Sequence, residues 1–202
     1  MAQTLTGMSI AILVTDDFEQ VELTEPRKAL HEAGALTKII SNKHGKVQGM
    51  NHDEKADQFD IDMTFDEARP EEFEGVLLPG GTMNADQIRI NPGAQAFVKS
   101  FDTEGKPIAV ICHGAWLLVS ANLVTGRVLT SWPTLQDDIR NAGGEWLNEE
   151  VVVDGNLVSS RRPSDIPAFN QEMIDVFSQH YANQGQRQRE GGLRQQRPAD
   201  RI

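Results

Sequence analysis

One cysteine in 202 residues leaves no partner for an internal disulfide. The fold must therefore rest on its core, and a reducing compartment, the cytoplasm, is the expected location. Long apolar runs are also missing: none approaches the ~20 residues of a membrane span. Met1–Gly7 has neither the basic start nor the apolar stretch of a secretory leader. Positive charge is scarce. The formal net charge is -11, with 30 acidic and 19 basic residues. A body this acidic argues against a nucleic-acid surface. There is no second cysteine and no compact ligand spacing. The histidines at 44 and 52, close to Asp53 and Glu54, therefore do not predict a metal site, and no cofactor is expected.

What remains is a soluble globular composition, 39% hydrophobic, at a length that suits one domain with a full core. The charge divides unevenly. Residues 1–182 are strongly acidic, whereas 183–202 carry five arginines, Glu190 and Asp200 among Gln and Gly, with only Leu193 and Ile202 as large apolar residues. The reading is a single domain over 1–182 and a disordered basic tail over 183–202.

Within the domain, apolar strands are predicted at Met8–Val14, Leu36–Ile40, Gly75–Leu78, Ile108–Ile111 and Val128–Ser131. Helices are predicted at Val21–Ala33, Pro92–Glu104, Thr134–Ala142 and Pro163–His180. The polar stretch Asn42–Asp60 predicts short irregular strands. Val151–Val158 predicts a hairpin turning on Asp154-Gly155. Strands with little alternation, separated by helices, mean a mostly parallel sheet covered on both faces. The architecture is a flavodoxin-like three-layer α/β/α sandwich.

The most informative run is Pro107-Ile108-Ala109-Val110-Ile111-Cys112-His113-Gly114-Ala115, followed by apolar Trp116–Val119. Strand, cysteine and helix in that order form a nucleophile elbow. There the positive end of the new helix eases ionisation of the thiol. A lone cysteine is more often an inert core residue. The strand before it, the small residues after it and the adjacent histidine reverse that preference.

Ligands bind at the carboxyl ends of strands in open α/β sheets. Three loops leave such ends: Thr15–Gln20, Pro79–Thr82 and Cys112–Gly114. If their strands are neighbours, one cleft holds Cys112 as nucleophile and Glu19 as an acid of raised pKa. Backbone N–H groups at Gly81 and His113 would form an oxyanion hole. Glu19 is one of four acids here, with Asp16, Asp17 and Glu22, so a solvated loop acid is the bland alternative. His113 is the base by residue type, although consecutive residues at a turn usually diverge. Asp86 is the candidate to orient it.

The chain resembles the ThiJ/PfpI superfamily on its PfpI side, whose members are called intracellular proteases, general stress proteins and protein deglycases. The resemblance rests on Asp17–Leu23, Leu77–Gly81, Ala109–Gly114, Asp137–Gly143 and Val151–Arg161. It implies Cys112 as nucleophile, Glu19 as the carboxyl bonded to the thiol, and Gly81 and His113 as oxyanion donors. It also implies homo-oligomers, with Asp86 reaching His113 from a neighbouring subunit. The activity implied is glyoxalase III or deglycase chemistry on small reactive carbonyls. A Cys112-His113-Asp86 peptidase or amidase is the alternative. A non-enzymatic oxidative-stress sensor or chaperone is a third reading, since an ionised thiol oxidises readily.

Overall fold

The computed structural model describes residues 4–195, with side chains through Asn183. Its elements in chain order are β1 (Ser9–Leu13), β2 (Phe18–Glu19), α1 (Val21–Glu32), β3 (Leu36–Ser41), β4 (Lys46–Asn51), β5 (Glu54–Asp60) and β6 (Met63–Thr64). Then come β7 (Gly75–Leu78), α2 (Thr82–Ile88), α3 (Pro92–Thr103), β8 (Ile108–Ile111), α4 (Ala115–Ser120) and β9 (Val128–Leu129). The last are α5 (Gln136–Asn141), β10 (Glu145–Trp146), β11 (Val151–Asp154), β12 (Leu157–Ser160) and α6 (Ile166–Gln195).

Seven strands form the central sheet in the order β11-β12-β8-β7-β1-β3-β6. Only β11 pairs antiparallel. Both faces are covered, which is why β1, β7 and β8 are apolar at nearly every position. In β1, Ile10 and Ile12 face α1 and α6 among Leu23, Leu30, Phe169, Met173 and Phe177. Ala11 and Leu13 face the opposite layer with Phe97, Phe101 and Leu117. Full burial of each such side chain stabilises the fold by about 1.5–3 kcal/mol.

The chain runs from β1 to β3 on one side, then returns to place β7 on the other side of β1. This reversal opens a crevice at the carboxyl ends of β1 and β7, with β8 next in line. The loops after β1, β7 and β8 are thereby brought together.

Some local expectations need correction. The polar stretch 42–60 forms a β4–β5 hairpin with longer strands than expected, irregular in register between Gln48 and Met50, and β4 pairs with β2. Its strands are polar because β5 is largely exposed. The Val128–Ser131 strand shrinks to two residues, because Thr130 N–H turns to Ser159 Oγ rather than to a ladder partner. The β11–β12 turn sits on Gly155-Asn156, one residue later than expected, since Asp154 pairs with Leu157. The last helix runs to Gln195, beyond His180 where the sequence pattern ended it. Gln, Arg and Glu are good helix formers, and a helix can propagate from a packed segment without a core of its own. Residues 196–202 lie outside the described residues. No helix among the described residues is long and apolar enough to cross a membrane.

Candidate active site

β8 ends at Ile111 in extended backbone, and Cys112 then takes φ +62. This left-handed conformation is uncommon for a residue with a Cβ and persists only where the surroundings enforce it. Two contacts do so. Cys112 C=O accepts the Trp132 N–H at 3.2 Å. Gly114 packs so tightly that a Cβ there would lie 2.6 Å from Leu78 O. The elbow therefore presses against the loop after β7.

That loop supplies the other wall. Gly81 has φ +89, and a Cβ on it would meet Glu19 N at 2.6 Å. A Cβ on Gly80 would meet Glu22 Oε2 at 2.5 Å and Cys112 Cβ at 2.7 Å. Only glycine lets the loop pass this close. Asn84, fully buried in α2, fastens it: Nδ2 donates to Gly80 O and Pro79 O, while Oδ1 accepts from Thr15 N–H at 2.7 Å. One side chain thus ties the β7 loop to the β1 loop. The N–H groups of Gly81 and His113 both reach the Cys112 sulfur, the pair expected for an oxyanion hole.

The carboxyl against the thiol is that of Glu22, not Glu19. Glu19 lies in β2, paired across to Met50, and its side chain turns to the rim, where Oε2 accepts the His52 N–H. Glu22 lies in the first turn of α1, on the face it shares with buried Pro26 and Leu30, and is fully buried. Its Oε2 accepts the Gly80 N–H at 2.8 Å. Its Oε1 has no hydrogen-bond donor. Burial, aided by the nearby Glu19 charge and opposed by the Gly80 N–H and the Cys112 contact, pushes the Glu22 pKa up to about 8. At neutral pH it is a neutral acid able to donate to the sulfur.

The thiol itself does not ionise as easily as expected. Burial and the adjacent Glu22 carboxyl push it well above the usual thiol value, against the pull of the His113 and Gly81 N–H groups. The helical turns after the cysteine are short, and the sulfur is buried, so desolvation outweighs their dipole. Ionisation therefore needs a base at the sulfur. His113 is placed beside it: Nδ1 lies 3.3 Å from Sγ despite the adjacency in sequence. Burial lowers the His113 pKa to about 4, so the ring is neutral at pH 7. It stacks on Trp132 with centroids 5.6 Å apart and meets the Trp116 edge at 5.5 Å. Nε2 faces Thr82 Oγ1 at 3.5 Å. Asp86 is exposed on α2 and makes no hydrogen bond to His113 within the chain.

Glu22, Trp132, Asn84 and Thr82 were thus not singled out from sequence as site residues. For Glu22 a signal existed: Glu22, Pro26 and Leu30 recur at i, i+4 and i+8, placing an acid on the apolar face of a helix. The pocket above the sulfur encloses about 670 Å³. It is lined by the site residues Cys112, His113 and Glu22, and by side chains from α2, the loops at Trp132 and Pro163, and the β4–β5 hairpin.

The fold and site define a flavodoxin-like α/β protein with a cysteine at a strand-to-helix elbow, paired with a buried acid. Residues 8–176 match the DJ-1/PfpI family, and the chain belongs to it. It is 42% identical over 170 residues to "Deglycase PfpI" of Pyrococcus furiosus, covering 84% of this chain and 99% of that one. It is 41% identical over 170 residues to "Protein/nucleic acid deglycase 2" of Escherichia coli, covering 83% and 96%. Among solved structures it is similar to a two-domain Anabaena variabilis protein with DJ-1/ThiJ/PfpI-like and ferritin-like domains. That match has a TM-score of 0.78 and 32% identity, covering 83% of this chain and 47% of that one.

Proposed function

We propose that the protein is a cysteine-dependent enzyme acting on small reactive carbonyls, of glyoxalase III or deglycase type, and that it works in the cytoplasm. One arrangement carries the reading: the Glu22 carboxyl, the His113 ring and two N–H donors converge on one sulfur from α1, the loop after β7 and the elbow. Deglycase-named relatives support it.

With methylglyoxal, Cys112 Sγ attacks the aldehyde carbon. The thiol proton passes to His113 Nδ1, and Glu22 protonates the oxygen as it gains charge beside the Gly81 and His113 N–H groups. The product is a hemithioacetal flanked by a carboxylate and an imidazolium. Glu22 then removes the proton from C1 while His113 protonates the ketone oxygen, giving an enediol. Glu22 returns its proton to C2, His113 accepts the C1 hydroxyl proton, and a thioester of lactate results. Water adds to the thioester carbon and gives its proton to the Glu22 carboxylate, the C–S bond breaks to release lactic acid, and the imidazolium proton restores the thiol.

The test is lactate formation from methylglyoxal in amine-free buffer. Wild type should turn over and Cys112→Ala should not; an inactive wild type with reduced Cys112 would refute the reading. The Cys112-His113-Asp86 peptidase reading is weaker, because His113 Nε2 faces Thr82 rather than Asp86. An orienting Asp86 would have to come from a second copy of the chain. The exposed Met83 and Ile90 beside it on and after α2 make that face the candidate contact.

A further inference from the structure

Glu19, displaced from the thiol, has a different place. The β4–β5 hairpin lines the pocket with Met50 of β4, His52 and Asp53 of the turn, and Lys55 of β5. No core backs this turn: residues 51–55 are all exposed. The hairpin is fastened at its base, where Gln20 N–H donates to Met50 O and the Gln20 amide exchanges two bonds with Asp57. At the tip, Asn51 and Glu54 pair only with each other. Among the described residues, the one hydrogen bond from the tip, residues 51–54, to the rest of the molecule is His52 N–H to Glu19 Oε2, at 3.1 Å. The imidazole Nδ1 adds a longer contact to the same oxygen at 3.7 Å. His52 sits at φ +58, a conformation that costs energy for a residue with a Cβ and so needs an external hold. Glu19 is suited to provide it. Its side chain is only 14% exposed, against 85% for His52, and β2 fixes its backbone.

The geometry points to Glu19 as a positioning residue: by accepting the His52 N–H it holds the β4–β5 turn as part of the lining of the Cys112 pocket, and so sets how tightly substrate is held there. It acts through the turn, without touching the sulfur. The part concerning substrate rests on the carbonyl-enzyme reading above; the part concerning the turn does not.

The two parts are separated by two readouts on wild type, Glu19→Ala, Glu19→Gln and His52→Gly. The first is amide hydrogen exchange over 51–55. Loss of the tip's hydrogen bond to the body of the protein should speed exchange by about ten-fold in Glu19→Ala. Glu19→Gln keeps a carbonyl acceptor and should stay near wild type. His52→Gly keeps the N–H and relieves the left-handed strain, and it should stay slow as well. The second readout is methylglyoxal kinetics, where Glu19→Ala should raise KM several-fold, a larger effect than on kcat, with Glu19→Gln rescuing KM. Unchanged exchange in Glu19→Ala would overturn the proposal, as would a Glu19→Gln variant as impaired as Glu19→Ala, since the charge and not the bond would then matter. Should no variant turn over methylglyoxal, the exchange experiment still decides the role of Glu19 at the turn.

Discussion

Replacing Glu22 by Gln tests the electrostatics of the site without an assay of activity. Gln keeps the shape and an acceptor for Gly80 N–H but cannot ionise. In the unfolded chain Glu22 loses its proton above 4.5, and in the folded chain burial holds the proton until about 8. Between those values the folded state binds more protons than the unfolded state. Its stabilising effect is complete below 4.5 and is lost as pH rises toward 8. One proton corresponds to a slope of about 1.36 kcal/mol per pH unit, so wild type should lose about 3.5 kcal/mol relative to Glu22→Gln between pH 5 and pH 8. The window ends below the range in which Cys112 itself titrates. Urea unfolding at intervals across it, extrapolated to water for both proteins, measures the difference. Curves that stay parallel would show that Glu22 ionises normally, and the neutral-acid mechanism would fall with that result. The same variant should lower kcat by about 10²–10⁴, the usual contribution of a positioned acid or base.

The Asn84→Ala variant strips partners from Thr15 N–H, Gly80 O and Pro79 O at once. It should destabilise the fold by about 3 kcal/mol, read as a fall of roughly 6–12 °C in Tm. It should also impair turnover, because the glycine loop loses its tether to the β1 loop. The His113 ring should stay neutral on acidification from 6.5 down to near 4, visible in its ¹⁵N chemical shifts. Because the folded state there binds fewer protons, its contribution to stability is present above 6.5 and falls away toward pH 4. A ring that protonates near 6.5 would show it to be solvated rather than packed between the tryptophans.

The layers of the fold were legible because β1, β7 and β8 are buried on both faces and their sequences are apolar at nearly every position. The elbow was legible because strand, cysteine and helix follow one another within a few residues. Hairpin β4–β5 was harder to read. The residues of β5 are largely exposed, so the burial pattern that marks a strand is weak there, and pairing with β4 decides its conformation. Glu19 and Glu22 are three positions apart, and local composition treats them alike. Their difference is set by where β2 ends and α1 begins: the first residue pairs with β4 and points to the rim, and the second enters the helix and is drawn under Gly80. Whether the thiol would be eased or hindered in ionising also depended on tertiary structure. The sequence displays a helix after the cysteine, whereas the extent to which neighbouring loops exclude water is visible only once they are assembled.

The stacking of His113 between indoles has an optical consequence. The chain has three tryptophans, and two of them, Trp116 and Trp132, lie within 6 Å of the imidazole that touches the sulfur. Any event that charges that ring or fills the space above it changes the surroundings of both fluorophores. The molecule's own emission therefore reports occupancy of the cleft in real time, without a dye, a tag or a coupled reaction, and it does so in variants that can no longer complete a catalytic cycle.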